Sequence, residues 1–530
     1  MAQQDGGAVM AVRDLQVAYK RNGQSATVLN KLAFTLKKGE IVALLGESGS
    51  GKSTIAKAVT GLLPPSAHIG GGTLLLGSET AALGGKTDWG RIRGRRIGML
   101  FQDARLALNP LVRIKTHFKE CLVYHRIASV EQSASIGAEL LRLLGFDRPR
   151  DVLERYPFEL SGGMCQRVCL ALAICLKPEA LIADEPTSAL DTVSQKEVLD
   201  LLLKLQRELG LSVLFITHDI AAANAISNRV IVLNRGVIEE EGDTAVVLSQ
   251  PRAPYTRSLL SAREQLSVVS DGDGKAPPTK PLLEMIGLQK SFDRMILRDV
   301  HLTLHEGEIL GILGQSGSGK STLAKCIAGL EKPDAGKVML GGDDISRLQG
   351  KRRREYCKRL QLIFQDARAS LNARRSALQL VQEPLHYLKI GNRKAREETA
   401  KRYLDEVGIV GDMQARKPAQ LSTGQCQRIA IARALALGPQ VLLCDEAVSA
   451  LDMSVQSQIL ALLRRLHKQF GFSIVMISHD IRVLRSFCHN IAVMDEGRFR
   501  EVRRASDLHE SRSPHTQLLL QCASDMEAGM

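Results

Sequence analysis

Gly46-Glu47-Ser48-Gly49-Ser50-Gly51-Lys52-Ser53-Thr54 is the stretch whose reading decides the fold. The run before it, Ile41 to Leu45, is short, apolar and suited to a buried parallel strand. The run after it, Ile55 to Val59, continues as a helix. Strand, glycine loop and helix in that order are the context in which such a stretch holds phosphate. The glycines let backbone N–H groups turn inward and close on phosphate oxygens. The helix N-terminus adds a partial positive charge. Lys52 is then placed for the β- and γ-phosphates of a nucleotide, and the Ser53 hydroxyl for Mg²⁺. A lone match arises by chance in some glycine-rich turns. Here the stretch recurs, as Gly314-Gln315-Ser316-Gly317-Ser318-Gly319-Lys320-Ser321-Thr322 after another apolar run, Ile309 to Leu313.

The recurrence extends along the chain. Lys52 and Lys320 are 268 residues apart, and Gln102 and Gln365 are 263 apart. Ser161 and Ser422, Glu185 and Glu446, and His218 and His479 are each 261 apart. Landmarks in one order at nearly the same offset indicate a tandem duplication of a domain of about 260 residues. Residues 270–280, Ser-Asp-Gly-Asp-Gly-Lys-Ala-Pro-Pro-Thr-Lys, are polar and rich in Gly and Pro, and read as a linker. The expected domains are therefore 1–269 and 281–530.

Length and composition set outer limits. The 530 residues suffice for two domains with full cores. No run approaches the ~18 uninterrupted apolar residues of a membrane helix. Met1-Ala2-Gln3-Gln4-Asp5 lacks the basic and apolar regions of a signal peptide, so a cytoplasmic location is expected. The ten cysteines include no Cys-x-x-Cys pair and no accompanying His cluster, and read as buried reduced thiols. Cys165, Cys169 and Cys175 share one predicted helix. The net charge of +14 suits nucleic acid, an anionic membrane surface or a nucleotide. With seven Tyr, one Trp and twelve Phe, no aromatic ladder interleaves with basic residues, which argues against nucleic acid as a partner. The densest basic run, Lys351 to Arg354, reads as a solvated helix face.

Each copy opens with a strand-like segment, near Ala11–Tyr19 and Leu283–Phe292. A Gly-rich stretch suited to hairpins follows the phosphate loop, at Gly70–Gly77 and Gly336–Gly342. Long segments of helical periodicity, roughly Thr116–Leu144 and Leu378–Val407, read as separate helical subdomains. Short apolar strands end in Gln102 and Gln365, in Asp184-Glu185 and Asp445-Glu446, and before His218 and His479. Those polar groups would line the carboxyl edge of a parallel sheet, where open α/β sheets bind ligands. Asp184 and Asp445 suit an acid that organises Mg²⁺. Glu185 and Glu446 can orient or deprotonate an attacking water, or simply start a helix. His218 and His479 fit beside a γ-phosphate, and their shared offset with the glutamates favours that over a packing role. Gln102 and Gln365 fit a place between metal and water.

Leu160-Ser161-Gly162-Gly163-Met164-Cys165-Gln166-Arg167 and Leu421-Ser422-Thr423-Gly424-Gln425-Cys426-Gln427-Arg428 each precede a helix. Serine there is a good N-cap, and the glycines allow a phosphate to approach the helix start. One phosphate is not readily shared by two loops ~110 residues apart in a small domain, whereas a second domain can supply this loop across an interface.

Phosphate loop, glutamine loop, serine-glycine-glycine signature, Asp-Glu strand end, Ser188-Ala189-Leu190-Asp191 loop and histidine occur in order, twice. The chain resembles a tandem ATP-binding cassette ATPase over nearly its whole length. The resemblance implies an α/β fold of two RecA-like P-loop ATPase cores, each with an antiparallel β-subdomain and a helical signature subdomain. It implies two ATP molecules sandwiched between head-to-tail cassettes, with Mg²⁺. One site would join Lys52, Ser53, Gln102, Asp184, Glu185 and His218 to Ser422 and Gly424. The other would join Lys320, Ser321, Gln365, Asp445, Glu446 and His479 to Ser161 and Gly163. Tyr19 and Phe292 match the aromatic that stacks on adenine in the family, and ordinary strand packing would explain them equally.

Phe101 to Pro110, Phe364 to Asn372 and the tail Pro254-Tyr255-Thr256-Arg257-Ser258-Leu259-Leu260 resemble the peptide and nickel importers, whose substrates include oligopeptides, dipeptides, nickel and metal-opine chelates. That resemblance implies two integral-membrane permease subunits, a substrate-binding protein and a peripheral place on the cytoplasmic face of the inner membrane. Some relatives carry a cysteine cluster in the tail for an iron–sulfur centre; Ser261 to Lys280 has no cysteine, so none is expected. A ribosome-bound tandem cassette would have a long charged helical linker, and a sugar importer would lack the Pro-Tyr-Thr tail. Thr423, Met164 and Ala447 depart from the family pattern of Gly, Gln and Pro. Thr423 would cost its loop room or flexibility, which makes the site it serves the slower one.

Overall fold

Ile41–Leu45 is a strand with every side chain buried, as an unbroken apolar run requires when both faces are covered. It lies within a six-stranded sheet, parallel to Arg229–Asn234 on one side and Ser212–Ile216 on the other. Ala180–Asp184 and Ile97–Leu100 extend the sheet in parallel. Val237–Asp243 closes the opposite edge as an antiparallel hairpin. A Cβ on Gly236 in that hairpin would stand 1.9 Å from the Val28 carbonyl oxygen, so only glycine fits there. Because the parallel strands run one way, the residues after Leu45, Leu100, Asp184 and Ile216 share one edge.

The structure, a computed structural model, describes residues 7–21, 24–188, 190–267, 280–345, 348–449 and 451–528. The chain forms two compact units, residues 1–261 with 524–530, and residues 262–523. The expected linker 270–280 lies outside the described residues apart from Lys280.

In the first unit a four-stranded antiparallel sheet runs in the order Gln24–Lys37, Ala8–Arg21, Ala67–Leu76, Glu79–Ala82. Its Met10, Val12 and Leu15 join Val42, Leu44 and Ile55 in one apolar cluster, which fixes the two sheets about the helix Lys52–Val59. The helical stretch expected over Thr116–Leu144 is two helices, Ile114–Tyr124 and Val130–Leu143. Arg126 breaks them at a φ of 55°, and Ser129 starts the second with a reciprocal cap to Gln132. Pro149–Glu154 and the signature helix Gly162–Ile174 complete this layer.

The second unit repeats the plan. Its antiparallel sheet runs Met295–His305, Pro281–Ser291, Ala335–Leu340, Asp343–Asp344. Its six-stranded sheet runs Leu360–Ile363, Val441–Asp445, Ser473–Ser478, Ile309–Leu313, Asn490–Asp495, Arg498–Arg504. Ala377–Tyr387, Arg393–Glu406 and the signature helix Thr423–Leu435 form the helical layer. The basic run lies on the helix Gly350–Arg359 with Lys351 to Arg354 exposed and Tyr356 buried, the solvated face its charge requires.

Cys165 and Cys169 lie on the signature helix, while Cys175 is the residue that ends it, and all ten cysteines are free thiols. Among the described residues no helix is long and apolar enough to cross a membrane.

Candidate functional site

The turn from Leu45 into the helix Lys52–Val59 is shaped by glycine. A Cβ on Gly46 would stand 2.3 Å from the Leu233 carbonyl oxygen, and Gly51 enters the helix at a φ of 110°. Lys52 is 5% exposed, and its ammonium donates to the carbonyls of Gly46 at 2.7 Å and Glu47 at 2.9 Å. The loop thus curls about its own lysine. Gly314 and Lys320 repeat this, with Lys320 donating to Gly314 at 2.7 Å and Gln315 at 2.8 Å. The buried hydroxyls of Ser50 and Ser318, inside the loops, have no hydrogen-bond partner among the described residues. Most buried polar atoms in folded proteins find a partner, so an unpaired donor inside a glycine loop suits an oxyanion.

At the sheet edge the strand ends converge. Gln102 Nε2 donates to Glu185 Oε2 at 2.8 Å, and His218 Nδ1 stands 3.3 Å from Glu185 Oε1. Gln365 and His479 hold Glu446 in the same way, at 2.9 and 3.4 Å. Both glutamates have left-handed backbones, at φ 46° and 49°, rare for a side chain of this size. The amide of each is held by a strand carbonyl, Ile216 or Ile477. The hydroxyls of Ser188 and Ser449 donate to their carbonyls at 3.1 and 2.9 Å. The surroundings over-determine the strained conformation and aim the carboxylate back between glutamine and histidine.

Burial alone would raise the Glu185 carboxyl, but the hydrogen bond and charge of His218, helped by Lys52, hold it below the usual range. Burial works against a charged His218, yet Glu185 and Asp219 raise it above an ordinary histidine. Glu446 is likewise held low, against burial, by His479 and Lys320.

The neighbouring aspartates differ. Ser53 Oγ donates to Asp184 Oδ1 at 3.1 Å, partly offsetting the burial and Glu185 charge that raise its carboxyl. Asp445 Oδ1 is buried without a hydrogen-bond partner among the described residues, and burial plus the charge of Glu446 push its carboxyl up to about 6. A buried carboxylate oxygen in that condition suits a cation ligand.

The signature residues belong to the helical layer. Ser161 accepts from the Met164 N–H at 3.3 Å and Ser422 from the Gln425 N–H at 3.2 Å, so both serines are caps. Gln425 returns the bond to the Ser422 N–H at 2.9 Å, a reciprocal cap that Met164 cannot make. Gly424 is tightly packed, since a Cβ there would stand 2.6 Å from Val455 Cγ1, while Gly163 has 3.6 Å to Ser194 Oγ. Thr423 is exposed, and an added Cβ at its counterpart Gly162 meets only Arg105 Nη2 at 4.0 Å.

The two aromatics are unlike. Tyr19 is half-buried against the apolar cluster. Phe292 is 57% exposed, with Lys290 Nζ 5.1 Å from its ring centroid. Sequence reasoning missed three positioning groups. Tyr255 OH accepts from the Glu47 N–H of the phosphate loop at 3.2 Å, while Ser188 and Ser449 brace the glutamates. The signal for Tyr255 was the Pro254-Tyr255-Thr256 tail, but nothing in the chain order places that tail against the loop 208 residues earlier.

A family model described as ABC transporter matches residues 29–188 and 297–449. "Peptidoglycan transport ATP-binding protein YejF" of Agrobacterium fabrum is 36% identical, over 98% of this chain and 97% of its own. "Glutathione import ATP-binding protein GsiA" of Escherichia coli K12 is 34% identical, over 97% of this chain and 89% of its own. A solved cassette, the dimeric MJ0796 in a post-hydrolysis state bound to ADP and Pi, is 31% identical over 42% of this chain and 99% of its own, with a TM-score of 0.39. Two phosphate loops, two glutamine–glutamate–histidine clusters and two family matches agree: the chain belongs to the ABC transporter family as an ATP-hydrolysing protein with two ATP-binding cassettes in one polypeptide.

Proposed function

We propose that this chain is the motor of an importer for peptides or peptide-like molecules. The observation that carries the reading is the hydrogen-bonded glutamine–glutamate–histidine group built twice beside a phosphate loop. The names of its full-length relatives, glutathione import and peptidoglycan transport, supply the direction and the substrate class.

Each loop, with Lys52 or Lys320 and the amides from Gly46 to Thr54 or Gly314 to Thr322, would hold the ATP phosphates. Ser53, Gln102 and Asp184, or Ser321, Gln365 and Asp445, would hold Mg²⁺; the unpartnered Asp445 oxygen fits that donor set. The ion, when bound, neutralises charge on the phosphates. Glu185 and Glu446, kept ionised, orient the attacking water and accept its proton as the oxygen bonds to the γ-phosphorus. The bond to the departing ADP breaks in line. His218 and His479 hold the carboxylate and stand ready to donate to the γ-phosphate. Tyr19 and Phe292 would stack on adenine.

By resemblance, the cassettes would pair head to tail, Ser422 and Gly424 completing the first site and Ser161 and Gly163 the second. Thr423 is exposed, and its extra bulk would bear on the nucleotide, making the first site slower. Two separate permease subunits and a binding protein would complete the importer on the cytoplasmic face of the inner membrane, with no nucleic acid.

The test is uptake by vesicles carrying its two permease subunits, with wild type and the Glu185→Gln/Glu446→Gln variant. ATP-dependent accumulation of a peptide that needs both permeases and vanishes in the variant is expected. Permease-independent ATP turnover, with the chain on ribosomes instead, would reject the reading.

A further inference from the structure

Cys121 lies on the helix Ile114–Tyr124 and Cys175 ends the signature helix, and their Sγ atoms are 3.4 Å apart. The second unit has Pro384 and Ala436 at the matching places, so the pair belongs to the first unit alone. Cys175 sits where the signature helix is anchored on the core. A Cβ on Gly98 of the sheet would stand 2.4 Å from the Ala173 carbonyl oxygen, and the Glu179 and Ala180 amides both donate to the Arg96 carbonyl at 3.1 Å. Cys121 sits on the helix that follows the glutamine loop. The Arg95 side chain donates to the carbonyl of His125 at the end of that helix, a tie between the helix and the segment that leads into the sheet strand Ile97–Leu100.

The pair is chemically unequal. A hydrogen bond from Cys175 holds the Cys121 thiol below its usual range despite burial, while that bond and burial push Cys175 up. Cys121 is half-buried and Cys175 buried. A low, partly accessible thiol beside a second one is the arrangement of an attacking and a resolving cysteine. Cys165 and Cys169 instead point their thiols at the Pro157 and Ala104 carbonyls and are pushed up by burial.

We infer that Cys121 and Cys175 form an oxidation site, at which a hydroperoxide makes an intrachain disulfide that ties the helix behind the glutamine loop to the sheet-anchored end of the signature helix. The Cys121 thiolate attacks the peroxide oxygen, the O–O bond breaks, and Cys121 sulfenic acid and an alcohol or water leave the step. The Cys175 sulfur then attacks the Cys121 sulfur and displaces water, its proton going to the departing hydroxide. Two thiols are oxidised and one peroxide is reduced. Gln102, on the loop ahead of this helix, is bonded to Glu185, so the tie restrains a segment that contacts the hydrolytic carboxylate and slows turnover.

The test treats the full chain with hydrogen peroxide, maps the peptides without reduction, and follows ATPase activity before and after dithiothreitol. A Cys121–Cys175 linked peptide is expected in wild type, with a severalfold, reversible fall in activity. Cys121→Ser and Cys175→Ala should each keep their untreated rate through the same exposure. Absence of the linked peptide in wild type, a linked protein that hydrolyses at full rate, or equal inhibition of Cys121→Ser would overturn the inference. The wild-type map requires no variant to fold.

Discussion

Gly424 and Gly163 hold the same place in the two signature helices, but alanine should affect them oppositely. On Gly424 the new Cβ would stand 2.6 Å from Val455 Cγ1, and on Gly163 it would be 3.6 Å from Ser194 Oγ. Val455 is β-branched and stiff at χ1, and its amide is fixed to Asp452 Oδ1 at 3.0 Å, so it cannot swing aside. Overpacking of this kind costs about 1–3 kcal/mol. Replacing glycine by alanine in a helix returns up to about 1 kcal/mol. Gly424→Ala should therefore lose about 1 kcal/mol net, while Gly163→Ala gains up to about 1 kcal/mol. The two units need not unfold together, so hydrogen exchange of each signature helix against urea is the suitable assay. Val455→Ala in the Gly424→Ala background should recover most of the loss, a coupling that a double-mutant cycle measures. Equal effects at the two glycines, or no recovery, would refute the packing argument.

Three further outcomes are expected. With its carboxyl raised from 3.8 to about 6, Asp445 binds its proton more tightly folded than unfolded, so the second unit should lose stability as pH rises through that window and keep the deficit above it. In metal-free buffer Asp445→Asn should stabilise that unit by about 3 kcal/mol at neutral pH and flatten this slope; a wild-type slope in the variant contradicts the assignment. Tyr255→Phe leaves the Glu47 amide without its acceptor and should weaken nucleotide binding at the first loop by about 1 kcal/mol, roughly fivefold, in titrations against a Lys320→Ala background. Met164→Gln should give the first signature helix the reciprocal cap of Ser422 and Gln425 and add about 0.5 kcal/mol to its exchange protection; no change would mean that the Ser161 cap already suffices.

The duplication, the phosphate loops and the sheet edge were legible because each depends on local pattern. Five buried apolar residues before a glycine loop can scarcely be other than a central strand, and strands that run parallel bring Gln102, Glu185 and His218 together by topology alone. The break between Tyr124 and Val130 was legible only in part: Ser129 and Gln132 carry the spacing of a reciprocal cap, but the turn before them rests on Arg126 adopting a backbone that few non-glycine residues take. The left-handed Glu185 and Glu446 were hidden for the same reason. Tyr255 and the Cys121–Cys175 pair are meetings of distant segments, which a single sequence does not encode in any local signal. The unlike states of Asp184 and Asp445 follow from one serine hydrogen bond, although the residues around them are nearly the same in sequence.

The central claim is that Glu185 and Glu446 are the groups that take the proton from the attacking water. ATP binding and ATP turnover by the purified chain with its permeases, in wild type and in Glu185→Gln/Glu446→Gln, test it most directly. The double variant should bind ATP as tightly as wild type and hydrolyse it at least about 10²-fold more slowly, the loss typical of a missing general base. Turnover within a few-fold of wild type, with ATP binding intact, would contradict the claim.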